Sequence, residues 1–101
     1  MIGLLRYSSI HNAASKGDLE TIKFVNQTFG LDLDLKSAYG FTPLHFAATN
    51  GKIGVARYLI ENGADVNAKS YCKWTPFHLA ARFVHILFYG IMYRVSQQKL
   101  S

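Results

Sequence analysis

Phe41-Thr42-Pro43-Leu44-His45-Phe46-Ala47-Ala48 returns as Trp74-Thr75-Pro76-Phe77-His78-Leu79-Ala80-Ala81, with His45 and His78 standing 33 residues apart. A looser copy, Tyr7-Ser8-Ser9-Ile10-His11-Asn12-Ala13-Ala14, lies upstream at an offset of 34, measured from His11 to His45. Gly17 and Gly51 keep that offset, so the register extends past the motif. A fixed period of this length marks a stacked array, in which one unit cannot bury its apolar face alone and neighbouring units bury a continuous core.

Each copy reads as two short helices. The Thr42 hydroxyl can cap a helix by accepting a backbone N–H of the first turn, and Pro43 suits the first helical position, where no N–H is needed. Thr75 and Pro76 open the third copy in the same way, and Ser8 caps the first, where Ser9 replaces the proline. After the paired alanines, Gly51 ends the first helix. A second apolar-periodic stretch follows over 53–60, with Ile53, Ala56, Leu59 and Ile60 on one face, and Asn62-Gly63 closes it. Leu19, Ile22 and Val25 give the first copy the same face. The stretch 64–68 leads through Tyr71-Cys72-Lys73-Trp74 into the next Thr-Pro, and the equivalent link at 29–34 reads as one residue longer.

Gly40-Phe41-Thr42-Pro43-Leu44-His45-Phe46-Ala47-Ala48, Asn50-Gly51 and Asn62-Gly63-Ala64-Asp65-Val66-Asn67 closely resemble the ankyrin repeat, over roughly residues 8–85. The resemblance implies an all-α solenoid of helix-turn-helix units with β-turn fingers, holding two to three repeats: 3–36, partly divergent; 37–69, a full match; and 70–101, matching in its first helix and degenerate thereafter. It also implies a non-enzymatic module that binds another protein. Under it, His11, His45 and His78 hydrogen-bond near the caps and tie neighbouring repeats together, and Asn67 bonds backbone between adjacent fingers. With Thr42, Pro43, Gly51, Thr75 and Pro76, these form the structural set.

The sequence departs from the pattern in its last third. Lys73 stands where Gly40 stands one copy earlier. Positive φ is uncommon for a residue with a side chain, so that finger is expected to be reshaped. Val84 replaces the turn glycine, and a β-branched residue suits that turn poorly. Beyond His85 the stretch Ile86-Leu87-Phe88-Tyr89-Gly90-Ile91-Met92-Tyr93 is apolar on nearly every side, and Gly90 weakens a helix there by about 1 kcal/mol relative to alanine. Three readings stand for 86–101: an improvised cap, an altered or truncated reading frame without independent function, or a segment that touches a membrane or another subunit. Residues 83–95 fall short of the roughly 20 apolar residues that span a bilayer, so membrane association through them is an alternative and not the favoured reading.

Composition narrows the function further. Half of the 101 residues are apolar, which excludes disorder, and the lone Cys72 excludes an internal disulfide or a thiolate metal set. That usage favours a reducing, intracellular and cytoplasmic setting, and the N-terminus carries no secretory signal pattern. Six basic residues balance six acidic ones through Val66, whereas Lys69, Lys73, Arg82, Arg94 and Lys99 face no acidic residue after it. Such a bias steers acidic partner surfaces. No recognised nucleic-acid motif accompanies these few basic residues.

The histidines invite a catalytic or metal reading, yet their spacing equals the repeat period and no two stand at i, i+4. Ser8 and His11 could pair as nucleophile and base, but both occupy cap positions, with nothing to serve as a third group or oxyanion hole. The glycines follow the repeat and form no phosphate-cradling loop. Neither a cofactor nor a small-molecule substrate is called for, and no catalytic constellation emerges.

Under the resemblance, binding falls on the fingertips and the exposed end of each first helix. These offer Tyr7; Ala38, Tyr39 and Phe41; Tyr71, Cys72 and Trp74; then Ser15 and Lys16, Thr49 and Asn50, Arg82 and Phe83. Lys36 and Lys69 precede the second and third fingers. Tyrosine, tryptophan and arginine dominate interface energy in general. The residues expected to meet a partner are Tyr39, Phe41, Thr49, Asn50, Lys69, Tyr71, Cys72, Trp74 and Arg82; Tyr39 and Tyr71 are expected to face solvent, while Phe41 and Trp74 are equally able to pack against the adjoining helix or finger.

Overall fold

The computed structural model describes residues 10–82, 90 and 93–97. Expectations placed on Tyr7, Ser8, Phe83, Val84, His85 and 86–89 fall outside them, as does the side chain of Arg82.

The described residues form helices α1 (Ile10–Lys16), α2 (Leu19–Phe29), α3 (Pro43–Thr49), α4 (Ile53–Glu61) and α5 (Pro76–Arg82), with a helical stretch over 93–97 and no strand. Thr42 leaves its extended conformation to start α3, and its hydroxyl accepts the His45 N–H while the His45 ring accepts the Thr42 N–H, a reciprocal cap. Pro43 takes the first helical position. Gly51, at φ 67°, lets the Lys52 N–H reach the Ala47 carbonyl at 2.9 Å and close α3; Asp18 does the same to Ala13 at 2.8 Å after α1.

Helices α1, α3 and α5 stand side by side as one layer. α2 packs against α1, α4 against α3, and α2 and α4 touch each other, forming the second layer. Ala14, Ala47, Ala48 and Ala80 are fully buried, and their small side chains permit close helix approach. Ile10, Ile22, Leu44, Val55, Leu59 and Ile60 fill one core cluster. Truncating such a leucine to alanine costs about 2–5 kcal/mol.

Three local findings revise or extend the sequence reading. The extra residue of the first copy lies in the second helix, with 11 residues in α2 against 9 in α4, rather than in the link after it. Gly30 and Gly63, like Ser37 and Ser70, keep the 33-residue offset. Gly30, at φ 60°, closes the longer helix by donating its N–H to the Asn26 carbonyl at 3.0 Å.

The second correction concerns Lys73. It adopts φ 72° and forms the same turn as Gly40, φ 83°. Its N–H donates to the Ser70 carbonyl at 2.9 Å, as that of Gly40 does to Ser37 at 2.9 Å. The finger is not reshaped, because stacking on its neighbour and these bonds over-determine the turn and absorb the steric penalty.

The third finding concerns the C-terminal stretch. Val95 is 4% exposed and belongs to the core cluster, and Tyr93 meets Phe77 edge-on at 6.4 Å. This part of the apolar stretch packs on the preceding helices.

Candidate functional site

Two fingers project from the links into α3 and α5. In each, a serine organises the turn: the Ser37 N–H donates to the Phe41 carbonyl at 2.8 Å and the Ser70 N–H to that of Trp74 at 2.8 Å. Their hydroxyls accept the Phe41 and Trp74 N–H groups at 3.2 and 3.1 Å. Sequence reasoning missed both serines, although their spacing of 33 was available as a signal. The Tyr71 N–H donates to the Tyr39 carbonyl at 3.2 Å and joins the two fingers. Gly40 is needed for this approach, since a Cβ there would lie 2.7 Å from Tyr71 Cδ1 and 2.8 Å from its backbone nitrogen.

The aromatic residues of the fingers divide into two kinds. Tyr39 is 76% exposed and Tyr71 65%. Phe41 and Trp74 are half-buried, Phe41 edge-on to His45 at 5.4 Å and to Phe46 at 6.2 Å, and Trp74 edge-on to His78 at 6.2 Å. Cys72 and Lys69 are exposed. The Lys36 ammonium sits over the Tyr71 ring, 5.8 Å from its centroid, at cation–π distance.

The histidines hold the fingers to the helices. His45 Nδ1 accepts the Thr42 N–H at 2.9 Å, so its proton is on Nε2, which donates to the Trp74 carbonyl at 2.8 Å. His11 Nε2 donates to the Leu35 carbonyl at 2.7 Å. Both reach the segment that leads into the following helix. His78 repeats the local cap, accepting the Thr75 N–H at 3.2 Å, but it is exposed. Burial holds the His45 pKa below its ordinary value, against the opposing pull of the Trp74 and Ala68 carbonyls.

The loops beneath the fingers are braced by carboxylates. Asp32 and Asp65 each accept the N–H two residues on, from Asp34 and Asn67, at 2.9 Å. The inter-finger bond expected of Asn67 is seen at Asp34, the same place one copy earlier, whose carboxylate accepts the Asp65 N–H at 3.0 and 3.3 Å. Asn67 itself is exposed. Desolvation, then repulsion from Asp32 and Asp65, raises the Asp34 pKa despite that bond.

On the first-helix layer, Thr49 is half-buried and its hydroxyl donates to the His45 carbonyl at 2.9 Å. Asn50 is exposed, and its amide donates to Ser15 Oγ at 3.1 Å and to the Phe46 carbonyl at 3.0 Å, linking the ends of α1 and α3. Beside it Phe41, His45, Phe46, Thr49 and Leu79 line an apolar hollow of about 270 Å³.

Away from these surfaces, Asp18 caps α2, and the Thr21 hydroxyl and N–H hold its carboxyl below the usual range. Phe24 and Phe29 are exposed on α2 and meet edge-on at 6.0 Å. Their helical spacing alone did not mark them for notice. Among the described residues, no group of three or more His, Cys, Asp or Glu side chains could hold a metal ion. Nor is any helix of theirs long and apolar enough to cross a membrane.

Residues 10–93 match a family model described as ankyrin repeats in three copies. Over 64 residues the chain is 44% identical to the delta-latroinsectotoxin-Lt1a of Latrodectus tredecimguttatus, a match covering 62% of this chain and 5% of the toxin. It is 42% identical over 60 residues to a palmitoyltransferase of Schizosaccharomyces pombe, covering 59% of this chain and 9% of that protein. With the human ankyrin repeat domain-containing protein 53 it shares 36% identity over 80 residues, 75% of this chain and 15% of the relative. The chain thus spans only a small part of each of these relatives.

Proposed function

This chain belongs to the ankyrin-repeat family, a repeat that serves protein–protein interaction, and from that premise we propose that it presents its finger row and first-helix layer to a protein partner. The observation that carries the reading is the exposure of Tyr39 and Tyr71, at 76% and 65%, on consecutive fingers joined by a backbone hydrogen bond. Exposed tyrosines on a rigid scaffold offer contact area at low conformational cost. Around them Lys69 and Cys72, with the exposed parts of Phe41 and Trp74, complete the finger surface, and Thr49 and Asn50 extend it along the first-helix layer. The repeats divide as 3–36, 37–69 and 70–101, and the setting is intracellular.

The module is non-enzymatic in this reading. The palmitoyltransferase activity in a relative's name belongs to a protein of which this chain matches 9%. Crosslinking of partners to the chain and to a Tyr39→Ala, Tyr71→Ala double variant tests the proposal. The folded double variant is expected to lose capture. Undiminished capture, with an unchanged helical circular dichroism spectrum, removes the fingers from the interface.

A further inference from the structure

The apolar hollow beside Asn50 lies between α3 and α5, walled by Phe41, His45, Phe46, Thr49 and Leu79. The polar groups of these residues are engaged within the protein: the Thr49 hydroxyl donates to the His45 carbonyl, and the His45 ring is bonded through both nitrogens, to Thr42 and to Trp74. Phe41 stands edge-on to His45 at 5.4 Å and to Phe46 at 6.2 Å. One copy earlier the corresponding place holds a ring. Helices α1 and α3 stand side by side as α3 and α5 do, and there Phe46 packs against His11 with ring centroids 5.3 Å apart. Leu79 follows His78 as Phe46 follows His45, so the pair His45 and Leu79 repeats the pair His11 and Phe46. Leu79 has no ring to give, and a space of about 270 Å³ stays open over His45. Pockets that enclose a whole small molecule run to about 300–1,000 Å³, so this one suits a single side chain.

We propose that this hollow receives an aromatic side chain of the partner protein, set against His45, Phe41 and Phe46 as Phe46 itself is set against His11. The proposal rests on the reading that the first-helix layer meets a partner, and it names the group inserted there. The ring that the chain places on His11 is its ground, because the same repeat geometry leaves the corresponding histidine of the next copy without one from Leu79. Edge-to-face contact with Phe41 and Phe46 adds to the area buried, an increment that an aliphatic side chain does not receive. A polar side chain would lose its water there, since the ring nitrogens of His45 are already bonded.

Capped alanine pentapeptides with phenylalanine, leucine or glutamine at the centre, titrated into the full chain and followed through the Leu79 methyl resonances, test this. The phenylalanine peptide should shift those resonances saturably, with nuclear Overhauser contacts from its ring protons to the Leu79 methyls. The leucine peptide should bind about threefold or more weakly, and the glutamine peptide should leave the methyls unmoved. Leu79→Phe puts a ring where the partner's would sit, as Phe46 does on His11, and should weaken binding about tenfold or more without lowering the melting temperature. Phe24→Leu, at the exposed aromatic pair on α2, should change binding less than about twofold. Equal binding of the leucine and phenylalanine peptides, or no saturable shift at Leu79, overturns the proposal. So does toluene binding more tightly than the phenylalanine peptide, which would make the hollow a small-molecule pocket. A folded Leu79→Phe chain that binds as the parent does also overturns it, and if that variant does not fold, the ring-to-methyl contacts in the parent decide. None of these outcomes touches the fingertip reading, which fails only through the tyrosine double variant.

Discussion

Position 40 of the second finger and position 73 of the third demand the same backbone from different residues, so exchanging their chemistry should move stability in opposite directions. Gly40→Ala places a Cβ at φ 83°, a left-handed conformation costing about 1–2 kcal/mol, offset by about 0.4–1 kcal/mol through the stiffer unfolded chain. That Cβ would also lie 2.8 Å from the Tyr71 backbone nitrogen, so the third finger must retreat. The retreat lengthens the 3.2 Å bond from Tyr71 to the Tyr39 carbonyl, worth about 1 kcal/mol. With some loss of Tyr71 packing the total is about 2–3 kcal/mol. Lys73→Gly recovers the left-handed penalty and gives back the entropy term, a net gain of about 0.5–1 kcal/mol. Urea unfolding followed by circular dichroism and Trp74 fluorescence reads both changes. With a slope near 1 kcal/mol per molar urea for a chain of this size, the midpoint should fall by about 2–3 M in the first variant and rise by about 0.5–1 M in the second. A Gly40→Ala midpoint within about 0.5 M of the parent, or a Lys73→Gly midpoint below it, would refute the argument that these turns are imposed by stacking.

His45→Ala should cost about 3–5 kcal/mol in thermal or chemical unfolding, because it strands the Thr42 N–H and the Trp74 carbonyl, whereas His78→Ala at an exposed cap should cost about 1 kcal/mol or less. The same histidine predicts the acid limb of stability. Its folded pKa is depressed, so as pH falls below the ordinary imidazole value of about 6.5 the unfolded chain takes up a proton that the folded state resists. Melting temperature should drop through that window, and a parent and a His45→Gln variant with equal slopes there would contradict it. Asp34 acts with the opposite sign. Its raised folded pKa means that lowering the pH through its titration relieves the desolvation of the carboxylate and then its repulsion by Asp32 and Asp65. Asp34→Asn keeps an acceptor for the Asp65 N–H, so it should raise the melting temperature at pH 7 and lose that advantage as pH falls; a lowered midpoint at pH 7 would count against it.

Much of the fold was legible because its determinants are local. Thr42 with Pro43 and Thr75 with Pro76 declare helix starts within four residues, and Gly51 declares a helix end through its own φ. The period then supplies the stacking. The bracing of the finger loops was less legible. Ser37, Ser70 and Asp34 act through hydrogen bonds whose partners sit in a turn or on the next loop, and nothing in their types separates them from solvated polar residues. The surface was the least legible part, for exposure depends on what the neighbouring copy covers.

The amino-acid sequence by itself determined the repeat, the helix pairs and the three histidines in equivalent cap positions, since capping and hydrophobic periodicity are set by residues within a turn or two of each other. The solvent-facing Tyr39 and Tyr71 were also expected from the sequence, whereas only the tertiary structure decided that Phe41 and Trp74 pack against their own helices. It also decided that Lys73 accepts a glycine's backbone and that Lys36, just before the second finger, comes over Tyr71 of the third. The last two follow from contacts between units about 33 residues apart. Stacking energy summed over a whole face there outweighs the preferences of any single side chain.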